Sequence, residues 1–243
     1  MVSDDSSTIK ARSSSNVLHY GGIIPVQRLL VEFDLGRRVS GKPSQLRGNF
    51  AKPHYSIHFH HYSPHWHERR GYPLIQYKFI GGRPCILGLN EAVLPLKSAC
   101  EQQETLELGD TRYPVLGRKF VQDAVNFGTD GSFHRYRFGS PWFALNSQNH
   151  GKYKSCSTIA QKRELLTGIL AGNLKAMSKA FSYWIIDDLK PDLTDLDVEP
   201  VTIYMKSLEL LGFTGIFRVN FLIPDYFGVG KSTSKGYGWV HKV

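Results

Sequence analysis

Close to its C-terminus the chain sets two glycine pairs around a short cationic stretch: Gly228-Val229-Gly230, then Lys231-Ser232-Thr233-Ser234-Lys235, then Gly236-Tyr237-Gly238. Few folds call for this pattern. Glycine has no Cβ, so it adopts positive φ freely and lets backbone amides come close to a polyanion. Gly230-Lys231-Ser232-Thr233 also matches the end of a nucleotide-binding P-loop, but that motif needs a glycine where this chain has Asp225. A P-loop must also lead into a helix whose N-terminus receives phosphate. Here Tyr237-Gly238-Trp239-Val240 reads as a strand. A plain glycine-rich hairpin and a polyanion-binding loop are the readings left.

Charge favours the second. The formal net charge is +9. Between Leu35 and Asn90 stand nine Lys or Arg (Arg37, Arg38, Lys42, Arg47, Lys52, Arg69, Arg70, Lys78, Arg83) against the single acid Glu68, which is nearly the whole excess. Such a block favours phosphate contacts and salt-dependent binding. Tyr55, Tyr62, Trp66, Tyr72 and Tyr77 are interleaved with it, and aromatic rings stack on unpaired bases. The bland alternative is a solvated basic face.

At 243 residues with 41% hydrophobic content the chain can form one large or two ordinary domains, each with a packed core. No apolar run approaches the roughly 20 residues that cross a bilayer. The serine-rich start carries Asp4 and Asp5 and reads as a flexible tail over residues 1–20, without a signal peptide. Cys85, Cys100 and Cys156 are odd in number and at no metal-like spacing, which points to a reducing cytoplasm and no disulfides.

Apolar periodicity gives the order of elements. From Arg28 to Leu35, Leu29, Val31, Phe33 and Leu35 share one face of a half-buried strand, with Glu32 and Asp34 on the other. A short helix follows from Pro43 towards Phe50. Strands over Leu74–Ile80 and Pro84–Leu89 meet at Gly81-Gly82, a pair suited to a tight hairpin turn. A helix from Glu91 to about Leu106 and a strand around Lys119–Val125 complete the order strand, helix, strand, strand, helix, strand, the ferredoxin-like arrangement. Gly128-Thr129-Asp130-Gly131 is a turn signal that divides the chain into domains at 21–128 and 129–243. The second half is expected to repeat the order: a strand at Phe133–Phe138, a long helix over Ile159–Ile185, paired strands at Val201–Leu208 and Phe213–Ile223, and a last strand after the glycine-rich segment. The fold class is α+β, two tandem ferredoxin-like (RRM-like) domains with a C-terminal glycine-rich loop.

Six of the ten histidines fall between His54 and His67: His54, His58, His60, His61, His65 and His67. Metal binding is one explanation, yet a zinc site usually adds Cys, Asp or Glu, and only Glu68 is near. A bland polar loop is another. General acid–base chemistry on RNA is the third. RNA carries its own nucleophile, the 2′-hydroxyl, so an enzyme need only remove one proton and deliver another. Imidazole does either at neutral pH, and Arg69, Arg70 or Lys52 would stabilise charge on the phosphorane oxygens.

Three segments carry a resemblance to a known family. The first runs from Leu46-Arg47-Gly48 through His65-Trp66-His67 and Tyr72-Pro73-Leu74-Ile75-Gln76-Tyr77-Lys78 to Leu87-Gly88-Leu89-Asn90-Glu91. The second pairs Ser140-Pro141-Trp142-Phe143-Ala144-Leu145-Asn146 with Arg163-Glu164-Leu165-Leu166-Thr167-Gly168-Ile169-Leu170-Ala171-Gly172-Asn173. The third leads from Gly212-Phe213-Thr214-Gly215 through Leu222-Ile223-Pro224-Asp225-Tyr226 into the glycine-rich loop. Together these resemble the CRISPR-associated endoribonucleases of the RAMP superfamily that process repeat RNA, nearest the type I-B branch.

The resemblance implies metal-independent cleavage of CRISPR precursor RNA into guide RNAs, leaving a 5′-hydroxyl and a 2′,3′-cyclic phosphate. It implies no cofactor and no membrane, with effector subunits as possible further partners. His65 and His67 are the implied catalytic pair, with acid and base roles unassigned; Tyr72 is a third candidate, and His58 or His60 stand as substitutes. Arg47, Lys52, Arg69, Arg70, Lys78, Gly230, Lys231, Ser232, Ser234 and Lys235 are the expected RNA contacts. The alternatives are a non-catalytic guide-RNA-binding subunit and a metal-dependent nuclease.

Overall fold

The computed structural model describes residues 18–51, 71–193, 199–205 and 208–243. A two-residue strand, β1 (His19–Tyr20), precedes the long β2 (Ile23–Asp34). Then come α1 (Pro43–Ala51), the hairpin β3 (Ile75–Ile80) and β4 (Arg83–Leu89), and α2 (Val93–Glu101). A small hairpin, β5 (Thr105–Leu108) and β6 (Thr111–Pro114), leads to β7 (Gly117–Gly128). The strands form one antiparallel sheet in the order β3-β4-β2-β7. With the first strand central and the hairpin at one edge, this is the ferredoxin-like order.

Strand β2 is buried on both faces, and that joins the two halves. Leu29, Val31 and Phe33 point with Tyr77 and Ile86 towards Leu46 and Phe50 of α1 and Leu96 and Cys100 of α2. Ile24 and Val26 point the other way. They share a second core with Leu87, Leu89 and Phe127 and with Leu166, Leu170, Leu174 and Met177 of the second half. Alternation in a strand makes this possible, because successive side chains leave opposite faces. Phe127 is the hub of that second core, with ring centroids 4.9 Å from both Phe181 and Phe221.

The second half holds β8 (His134–Phe138), α3 (Ser147–Ser155), α4 (Ile159–Lys179), β9 (Tyr183–Trp184), the hairpin β10 (Glu199–Met205) and β11 (Leu208–Thr214), then β12 (Ile216–Val219) and β13 (Val240–Lys242). Its sheet runs β12-β8-β13, again with the first strand central, and Asp192 bridges Arg218 on the outer edge of β12. It is a second ferredoxin-like domain. Where its second helix would stand, between β12 and β13, lies the glycine-rich segment with a single 3-10 turn at Thr233–Lys235.

Helix α4 starts where a capping box sets it: Thr158 accepts the Gln161 amide, and the Gln161 side chain accepts the Thr158 amide. Several boundaries depart from expectation. The second helix stops at Glu101 rather than Leu106, because Thr105–Leu108 pairs with β6 about Gly109. Helix α4 ends at Lys179, after which Tyr183–Trp184 pairs in parallel with His19–Tyr20. His19 and Tyr20, expected within the tail, are held in this strand pair. The expected late strand pair is also redrawn: β10 pairs with β11, while β12 crosses to β8. No helix among the described residues is long and apolar enough to cross a membrane.

Candidate nucleic-acid interface

The glycine-rich loop belongs to the second domain but is seated on the first. Gly236, at φ 81°, lies where a Cβ would meet Pro43 Cγ at 2.6 Å and the Tyr77 carbonyl oxygen at 2.7 Å. Gly230, at φ 88°, lies where a Cβ would meet Trp142 Nε1 at 2.5 Å. The absent Cβ atoms thus serve close packing against the protein itself rather than approach to a ligand. What the loop offers outward is Lys231, exposed, with Ser232 and Lys235 half-buried.

Two expected RNA contacts need correction. Ser234 is buried in the 3-10 turn, and Lys78 is wholly buried because the loop covers its face of β3. The Lys78 amine donates to Gln76 Oε1 at 2.8 Å. Burial pulls its pKa down from 10.5 to about 7, since a charge with one neutral partner is poorly compensated away from water. The same Gln76 oxygen accepts the Gly228 amide at 3.0 Å, and Gln76 Nε2 donates to the Pro73 carbonyl at 3.2 Å. Gln76 is the residue that sequence reasoning missed. Its signal was there, because Gln76 and Lys78 alternate with Ile75, Tyr77 and Phe79, but alternation alone marks a polar face as solvent-facing.

Tyr72 packs its ring edge-on against Phe181, centroids 5.8 Å apart, and its hydroxyl is buried. Burial drives that phenol well above the usual tyrosine range, so it stays neutral. Arg47 lies half-buried on α1 near Tyr77, whose phenol burial drives well above the usual tyrosine range, the Arg47 charge only partly opposing that rise. His65, His67, Lys52, Arg69 and Arg70, with His54, His58, His60 and His61, lie outside the described residues. Their segment joins α1 to β3, and both of these elements touch the loop's 3-10 turn. Among the described residues no group of three or more His, Cys, Asp or Glu side chains is arranged to hold a metal ion.

Comparison with known proteins covers the same span. Residues 25–126 match the Cas6b N-terminal domain and residues 128–243 the Cas6b C-terminal domain. A crystal structure of Cas6b superposes with a TM-score of 0.82 at 29% identity, covering 90% of this chain and 100% of that one. A crystal structure of the CRISPR RNA processing endoribonuclease Cas6b covers the same shares at 29% identity with a TM-score of 0.71. The Methanocaldococcus jannaschii protein MJ0978 is 42% identical over 117 residues, which is 48% of this chain and 78% of that protein.

Proposed function

The chain belongs to the Cas6b family, and from that membership we propose that it cuts CRISPR precursor RNA within the repeats to release guide RNAs. The observation that carries this reading is the likeness, over nine-tenths of the chain, to a solved Cas6b RNA-processing endoribonuclease. The seating of the loop supports it. A cationic loop of one domain is fixed against the two elements that root the histidine segment of the other.

In the mechanism, one imidazole of the His65–His67 pair takes the proton from the 2′-hydroxyl. The freed oxygen attacks the adjacent phosphorus, the bond to the 5′-oxygen breaks, and the second imidazole protonates that oxygen. The products are a 2′,3′-cyclic phosphate and a 5′-hydroxyl, and none of these steps calls for a metal ion. Proton transfer by positioned groups contributes about 10²- to 10⁴-fold each. Lys231 and Lys235 hold the RNA backbone, with Arg47, Lys52, Arg69 and Arg70 flanking the scissile phosphate. Buried against Phe181, Tyr72 serves packing rather than proton transfer. We place this activity in the reducing cytoplasm, where its three unpaired cysteines are stable.

The test is cleavage of repeat RNA beside the same RNA made 2′-deoxy at the cut site, each with and without EDTA. Cutting of the ribose form alone, undiminished by the chelator, is expected. Binding of both without cutting either would make the protein a guide-RNA scaffold. Loss of cutting in EDTA would make it a metal-dependent nuclease.

A further inference from the structure

Beside the glycine-rich loop lies an open cavity of about 640 Å³, floored by α4 and closed by the start of α3 and by Lys231. Gln161, Glu164, Leu165, Gly168, Ile169, Gly172 and Asn173 recur every three or four residues along α4 and form one face, opposite the buried Leu166, Leu170 and Leu174. From Gln161 to Asn173 this face is about 18 Å long, and the whole volume is that of a small-molecule site.

The polar lining is held in one orientation. Asn146 Oδ1 accepts the Asn149 amide at 2.7 Å, Gln161 Oε1 accepts the Ser157 amide at 2.8 Å, and Asn173 Oδ1 accepts Trp142 Nε1 at 3.0 Å. Each partner is an N–H, which turns each carbonyl towards the protein and leaves each NH₂ to donate to a ligand. Glu164, an acceptor, has no partner among the described residues. Fixed donors with one carboxylate complement the edge of a nucleobase, as Asn, Gln and Glu do elsewhere. The carboxylate repels phosphate, which leaves Lys231 at the rim as the backbone contact.

The floor points to the same ligand. A Cβ added at Gly168 or Gly172 would meet nothing within 4 Å. Packing inside the protein therefore does not require these glycines, although glycine within a helix is destabilising against alanine. Their effect is to let a flat group lie against the helix beside Leu165 and Ile169.

We infer that this groove binds an unpaired nucleotide of the repeat RNA, continuous with the strand held by Lys231, and selects bases that carry an amino group over uracil. This rests on the function proposed above. Glu164 accepts from the amino group, and the side-chain amides donate to ring nitrogen or carbonyl oxygen. The test is an abasic scan of repeat RNA by equilibrium binding, with wild type, Gly168→Leu and Glu164→Gln. In wild type one position outside the cut site, when made abasic or uridine, should weaken binding about tenfold, the scale of one good base contact. Gly168→Leu should lose a similar factor on intact RNA and become insensitive at that position alone, while melting no lower than wild type. Glu164→Gln, which leaves the groove open, should reduce the discrimination against uridine.

A Gly168→Leu protein that keeps both wild-type affinity and the wild-type scan overturns the inference, while repeat cleavage by wild type leaves the proposed function standing. If Gly168→Leu does not fold, unchanged uridine discrimination in Glu164→Gln overturns it instead. A wild-type protein that neither binds nor cuts repeat RNA overturns the proposed function, and the groove assignment with it.

Discussion

The side-chain oxygen of Gln76 accepts the backbone amide of Gly228 at 3.0 Å, tying β3 of the first domain to the first glycine of the loop 152 residues later. The same atom holds the Lys78 amine at 2.8 Å, so one buried carbonyl serves two donors from two domains. An unsatisfied buried donor costs about 1–3 kcal/mol. Gln76→Leu leaves both donors without that acceptor, and we expect it to lower stability in urea by about 2–5 kcal/mol and to weaken repeat-RNA binding. Gln76→Glu keeps an acceptor and adds a charge opposite Lys78, so it should retain most of the stability. Equal losses in the two variants would show that the shared acceptor is not what matters.

Lys78 makes stability depend on pH. Its pKa falls from 10.5 to about 7 on folding, so between those values the unfolded chain binds more protons than the folded one. Stability from this group must therefore rise with pH across that window, by at most about 1.4 kcal/mol per unit, and the penalty is fullest below pH 7. Lys78→Met removes the titrating group. Urea midpoints measured between pH 6 and 9 should rise less steeply in the variant, with its advantage largest at the acid end; parallel curves would exclude a buried, neutralised lysine.

For the reaction itself, His65→Ala and His67→Ala should each slow single-turnover cleavage of repeat RNA by about 100-fold or more. Binding should change little, because neither side chain is assigned to grip the backbone. The double variant should cut no faster than the slower single one. Full activity in the double variant would move the chemistry to other residues, with His58 and His60 first in line.

Lys231 is exposed beside the groove, whereas Lys78 is buried under the loop. Lys231→Ala should weaken repeat-RNA binding and reduce the slope of log affinity against log salt by about one counterion. Lys78→Met should leave that slope unaltered. Titrations at three salt concentrations separate the two, and an unchanged slope for Lys231→Ala would exclude a phosphate contact there.

The architecture was legible in the chain because local rules write it. Leu29, Val31 and Phe33 alternate, and Gly81 and Gly82 turn at φ 57° and 79°. Each depends on neighbours a few residues away. The hairpin at Gly109 and the pairing of His19–Tyr20 with Tyr183–Trp184 were harder to read, since short strands depend on partners more than on their own periodicity. Which polar face would be wet was beyond local rules altogether. Gln76 and Lys78 have the pattern of a solvated strand face, yet a loop from the far end of the chain covers them. The glycines of that loop likewise answer to Pro43, Tyr77 and Trp142, contacts that exist only once the domains are packed. Sequence alone determined the main strand and helix order of the first domain and the basic, glycine-rich and histidine-rich stretches. Tertiary structure decided which of those side chains meet water and which meet each other, because burial is set by whatever packs on a surface and not by the strand that makes it.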